Sequence, residues 1–183
     1  RTVRLATEQR MTSTVFLRPC LAALTLTFAC AVPALAQDEP EFRGEYSDWR
    51  VFTRPTESGL VCYALSRPTD SAPRTFDHGT VYFIVASWQN GAVNEQPNLL
   101  TGYDLRPTSP PEVRVGSSRF DTFTDGSEAF LDDLSDESDL VRQMRRGSAM
   151  HVTATTAASG TTTMKIRNLR GRRNVCHSQA EKY

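Results

Sequence analysis

The stretch Phe120 to Met150, FDTFTDGSEAFLDDLSDESDLVRQMRRGSAM, constrains the fold most tightly, because turn, cap and stop signals follow one another there without a gap. It reads as hairpin, then helix, then strand. Asp125-Gly126, between two apolar alternations, supplies the positive-φ positions of a two-residue type I′ turn, so Phe120 to Thr124 is predicted to pair with Ser127 to Leu131. Ser135 or Asp136 then caps a helix over residues 136–146, and Gly147 closes it. Leu140, Val141 and Met144 give the helix an apolar stripe, and Leu134 is placed to staple its start. Asp136, Glu137 and Asp139 near its beginning, with Arg145 and Arg146 near its end, complement the helix dipole.

Elsewhere the chain reads as short strands separated by turns. Tyr46 to Thr53 alternates, with Trp49 and Val51 on one face and Arg50 and Phe52 on the other, and a Pro55 to Gly59 turn cluster leads into Leu60 to Arg67. Thr80 to Trp88, TVYFIVASW, is a continuous apolar run of the kind found in a central strand covered on both faces. Strands follow at Asn98 to Tyr103, around Val113 and Val115, from Met150, and over Thr161 to Leu169, while Pro107 to Pro111 cannot enter a sheet interior. Residues 37–44 are polar and predicted to fray. Eight or nine short strands with one inserted helix and no regular β-α alternation predict a mainly β fold, an antiparallel β-sandwich or a partly closed barrel.

Residues 1–36 read as a leader and secretory signal, with translation starting at Met11. Arg18 provides the positive region, Leu21 to Val32 an apolar core too short to span a bilayer, and Ala34-Leu35-Ala36 a small-residue site cleaved before Gln37. Thr27 and Phe28 fit poorly with lipid attachment at Cys30. Residues 37–183 then form one domain without a membrane segment. The whole chain has 21 basic and 21 acidic residues. Four arginines and Glu8 fall within residues 1–36, so the remainder is acidic by about three charges, which argues against general nucleic-acid binding.

After removal of the signal only Cys62 and Cys176 remain, in a compartment that permits disulfides. One bridge is the natural reading; two buried free thiols and a catalytic thiol are the alternatives. Asp121 to Asp132 imitates a calcium loop at positions one, five and six, but Phe123 stands where an oxygen ligand is needed and Asp132 where a bidentate glutamate belongs. His78, His151 and His177 lack metal-site spacing, and no G-x-S-x-G elbow occurs. No catalytic residue, metal or cofactor is therefore assigned. Arg167, Arg170, Arg172 and Arg173 concentrate four guanidinium groups in seven residues and are candidate donors to phosphate or carboxylate, such as lipopolysaccharide phosphates; a solvated strand edge is the plainer reading.

Several of these segments together resemble the invasion-associated locus B family: Tyr46-Ser47-Asp48-Trp49-Arg50-Val51, Val61 to Pro68 (VCYALSRP), Phe123-Thr124-Asp125-Gly126, Leu140-Val141 to Met144, and Gly147-Ser148. Asn94-Glu95 sits where the family places a similar pair. The resemblance spans most of residues 37–183 and implies a small, mainly β, non-enzymatic protein of the Gram-negative periplasm or envelope, with a role in host-cell entry among pathogenic members. It also matches Cys62 and Cys176 to the family's two cysteines, which favours the single disulfide. The segment Arg172 to Val175 before Cys176 is shorter than the family's. The partner implied is an envelope or host ligand, anionic if the arginine cluster is the site. A small periplasmic hydrolase or metal-dependent enzyme, and an envelope assembly factor that captures polypeptides along a sheet edge, are the alternative functions.

Overall fold

A computed structural model describes residues 39–91 and 93–169. The leader and signal, Arg170, Arg172, Arg173, Cys176 and His177 lie outside the described residues.

Alternation of apolar and polar residues along short segments builds two antiparallel sheets. The first contains β1 (Glu41–Tyr46), β2 (Trp49–Thr56), β3 (Gly59–Ser66), β5 (Tyr82–Trp88), β6 (Gln96–Leu100), β9 (Thr122–Asp125) and β10 (Glu128–Leu131), in the order β1-β2-β3-β5-β6-β10-β9. The second contains β4 (Asp70–Ala72), β7 (Glu112–Val115), β8 (Ser118–Phe120), β11 (Ala149–Thr155) and β12 (Thr161–Arg167), in the order β4-β12-β11-β7-β8. Neither closes into a barrel, so the predicted sandwich holds and the barrel alternative does not.

Three strands beyond the predicted nine come from identifiable contacts. The supposedly frayed start forms β1, because Phe42 packs its ring against Phe52 at 5.5 Å and Arg43 Nε donates to Thr53 Oγ1 at 2.7 Å. A short piece of the polar loop after Pro68 adds to the edge of the second sheet as β4, in register with Thr163 to Lys165. The predicted strand starting at Phe120 is two strands. Phe120 is buried at the end of β8 and Thr122 at the start of β9, and the chain passes from one sheet to the other at exposed Asp121.

The β9–β10 turn falls one residue later than predicted. Asp125 pairs with Glu128, so the two loop residues are Gly126 and Ser127, and of these only Gly126 has positive φ, at 59°. That is the demand of a II′-type turn, which places glycine first. The turn is held there by its carbonyls, which accept from Leu105 N and Thr101 N at 2.9 Å each.

The helix α1 runs Leu134–Arg146. Its N-cap is Asp133, upstream of the two predicted caps, and the Asp133 carboxylate accepts from Ser135 N at 2.8 Å. This contact holds the Asp133 carboxyl below its ordinary pKa. Leu134 is 76% exposed and staples nothing. Gly147 does end the helix, but at φ −78°, where any residue fits. Glycine is needed there for space: a Cβ would stand 2.6 Å from Asn168 Nδ2 and 3.2 Å from Val115 Cγ1.

Leu140, Val141 and Met144 insert into the core between the sheets with Phe83, Leu99, Leu131, Met150 and Ile166. Each such side chain contributes about 1.5–3 kcal/mol on burial. Trp49 joins the two sheets directly, packing edge-on to Phe83 at 6.5 Å and donating from Nε1 to the Arg167 carbonyl at 2.9 Å. β5 is the middle strand of the seven, as its apolar run predicted. Only its Phe83 and Val85 face is fully covered, whereas Tyr82, Ile84, Ala86 and Trp88 are half-buried on the far side. The expectation of cover on both faces is corrected accordingly.

Candidate functional site

Two of the three histidines lie among the described residues, on different elements. His151 is exposed on β11, and His78 lies in the loop after β4, edge-on to Phe76 at 5.1 Å with Nε2 3.1 Å from the Pro73 carbonyl. Among the described residues no group of three or more His, Cys, Asp or Glu side chains is placed to hold a metal. Cys62 is buried on the core-facing side of β3. Asp121 to Asp132, the calcium-loop imitation, spans the β9–β10 hairpin.

Of the four arginines singled out in the sequence, Arg167 alone is described. It ends β12, and its Nε reaches Asp48 Oδ2 at 2.9 Å, across to the turn between β1 and β2. Together with the Trp49 bond to its carbonyl, this pair fastens the end of β12 to the first sheet. Both side chains of the ion pair are substantially exposed, so its contribution to stability is about 1 kcal/mol or less.

The stronger surface feature is the outward face of the seven-stranded sheet, which single-strand patterns did not reveal. Phe42, Phe52 and Tyr63 stand in register on β1, β2 and β3. One row on, Arg50, Leu65, Ile84, Asn98, Phe130 and Phe123 follow one another across six strands, a span of roughly 24 Å at about 4.8 Å per strand. Phe42 and Phe123, at opposite ends, are 50% and 47% exposed. The alternation of β2 already placed Arg50 and Phe52 together on the face away from Trp49 and Val51. Which residues of seven strands share a row depends on turn lengths and on the bulge at Phe42/Gly44, which the sequence left open.

The rings on this face are already engaged with one another. Phe52 stacks on Tyr63 at 5.6 Å and 18°, and Phe130 on Phe123 at 5.7 Å and 28°. The Arg50 guanidinium lies 5.4 Å from the centroids of both Phe42 and Phe52, and Arg67 lies 5.5 Å from that of Tyr82. Burial pushes the Tyr63 hydroxyl above its ordinary pKa, with Arg54 pulling the other way, so it stays a neutral hydrogen-bonding group at physiological pH. With ring faces occupied by neighbours and guanidinium groups, the surface presents ring edges, aliphatic groups and a cationic margin. Such a surface suits apolar side chains of a partner better than the flat face of a sugar or base.

On the core side, α1 is positioned by the residues that lead into β6. Arg145 is ion-paired with Glu95, the residue of the Asn94-Glu95 pair seen in the sequence. Glu137 faces Gln96; burial raises its carboxyl pKa, and the Gln96 hydrogen bond opposes that rise. These contacts account for Glu137 and Arg145 as positioning groups. Among the described residues, no helix is long and apolar enough to cross a membrane.

Comparison with family models, curated proteins and solved structures finds no match for this chain.

Proposed function

We propose that this chain is an exported protein of the periplasm or cell envelope that acts by binding, with the outward face of its seven-stranded sheet covering an apolar patch on an envelope or host polypeptide. The observation that carries this reading is the set of side chains on that face, from half-exposed Phe42 on β1 to half-exposed Phe123 on β9, with Arg50, Arg54 and Arg67 among them. Large apolar side chains left in water across a whole sheet face mark interaction surfaces, and their enrichment in Phe, Tyr and Arg matches the composition of interface centres. The cationic margin favours a partner with acidic residues around an apolar centre.

The resemblance to invasion-associated locus B proteins supplies the cellular setting: export through a signal in residues 1–36, a bridge between Cys62 and Cys176, and a role in host-cell entry. Three of the five segments that carry that resemblance lie along the same sheet. YSDWRV forms the end of β1 and the start of β2, CYALS lies on β3, and FTDG runs into the β9–β10 turn. Quantitative capture from envelope and host-membrane extracts tests the reading. The full chain is expected to retain a partner that a Phe42→Ser/Phe123→Ser variant of equal stability releases. Equal retention by both proteins would exclude this face.

A further inference from the structure

The outward face of the five-stranded sheet carries a row of basic side chains. Lys165 on β12, His151 on β11, Arg114 on β7 and Arg119 on β8 are register partners in turn, so basic groups stand abreast on four consecutive strands. Like charges directly opposite one another destabilise a sheet. Glu112 relieves part of this, at 2.7 Å from Arg119 and 3.6 Å from Arg114. Asp70 pairs in register with Lys165, but its carboxylate is ion-paired to Arg74 at 3.3 Å. Among the described residues Lys165 has no ion-pair partner.

An open groove of about 340 Å³ lies at this point, lined by Asp70, Ser71, His151, Thr153, Thr163 and Lys165. Thr153 and Thr163 are themselves register partners, one row along from His151 and Lys165. The groove thus gathers an ammonium, an imidazole and two threonine hydroxyls, with the Asp70 carboxylate at its edge held by Arg74, and the two arginines continue the row beyond it. Arg167 lies two residues further along β12 but is committed to Asp48.

We propose that this groove binds a phosphate group, with Lys165, His151, Thr153 and Thr163 as its donors, and that Arg114 and Arg119 receive a second phosphate of a polyphosphorylated ligand. The tetrahedral phosphate turns its oxygens in several directions and accepts from donors on separate strands, whereas a planar carboxylate is met best by a single guanidinium fork. Single-stranded nucleic acid fits less well. The outward-facing residues of β4, β7, β8, β11 and β12 include no Phe, Tyr or Trp on which bases would stack, since Phe120 is buried. The site is on the opposite sheet from the surface proposed for a polypeptide partner and does not depend on it.

Calorimetric titration of the full chain with inorganic tripolyphosphate, and co-sedimentation with phosphatidylcholine vesicles with or without phosphatidic acid, test the site. Lys165→Gln/His151→Gln should weaken binding by about tenfold or more, and Arg114→Gln should weaken tripolyphosphate binding further. Arg142→Gln, on α1, should leave it unchanged. All the substituted side chains are exposed, so unaltered melting curves are expected to confirm that folding is intact. Binding confined to tripolyphosphate assigns a soluble ligand, and binding confined to phosphatidic acid vesicles a lipid headgroup; either supports the proposal if the variants lose it. No binding of either probe at about 1 mM phosphate in low salt, equal binding by the variants, or tighter binding of single-stranded DNA than of tripolyphosphate overturns it.

Discussion

Replacing Gly147 by alanine separates two reasons for a glycine at a helix end. If Gly147 were required for a left-handed cap, alanine would be costly through the backbone alone. At φ −78° and ψ 174° the backbone accepts alanine, and removing a glycine from the unfolded chain would by itself stabilise by about 0.4–1 kcal/mol. The new methyl, however, would meet Asn168 Nδ2 at 2.6 Å, and Asn168 is itself buried, at 1% exposure. Overpacking of this kind costs about 1–3 kcal/mol, so Gly147→Ala is expected to destabilise by about 1–2 kcal/mol net. With a urea m-value of about 2 kcal/mol/M, that is a midpoint lowered by about 0.5–1 M. The second arm is Gly147→Ala/Asn168→Ala. Among the described residues neither polar atom of the Asn168 amide has a hydrogen-bond partner, so trimming it removes the clash and an unsatisfied buried group together. The double variant should recover most of the loss. If Gly147→Ala were neutral, or if Asn168→Ala failed to rescue it, the steric account of the helix end would be wrong.

Two further outcomes follow from groups placed in the core. Because burial raises the Glu137 carboxyl above its value in the unfolded chain, the neutral form is favoured on folding, and ionisation costs stability as pH rises through the raised value. Glu137→Gln should therefore raise the urea midpoint at about pH 7, by no more than about 1 kcal/mol in free energy, and leave it unchanged near pH 3; a loss of stability at neutral pH would show the charge to be favourable. If Cys62 and Cys176 are bridged, the exported protein unfolded without reductant should have no reactive thiol, and Cys176→Ser should destabilise by up to about 4 kcal/mol; two titratable thiols would exclude the bridge.

The sequence carried the architecture through features that act over a few residues. Alternation located nine of the strands, the apolar run of β5 marked the centre of a sheet, and Leu140, Val141 and Met144 gave the helix its buried side. What it misplaced depended on contacts between distant segments. The β9–β10 turn shifted because Thr101 and Leu105 donate to its carbonyls, β1 formed because Phe42 found Phe52, and Gly147 was conserved in role but for the space occupied by Asn168. The candidate surfaces were harder still to foresee. Arg50 and Phe52 could be assigned to one face of a strand, but the rows that join Phe42 to Tyr63 and Lys165 to Arg119 exist only once the register of each sheet is fixed. Of the arginine cluster, conspicuous in the sequence, the one described member, Arg167, pairs with Asp48.

Site-specific photocrosslinking in intact cells tests the central claim most directly. A photoreactive residue at position 42 or 123 of the full chain should give a discrete adduct with one envelope or host polypeptide, while the same residue at exposed position 58, in the β2–β3 turn, should not. Adducts of equal yield at all three positions, or none at 42 and 123, would contradict a binding function for this sheet face.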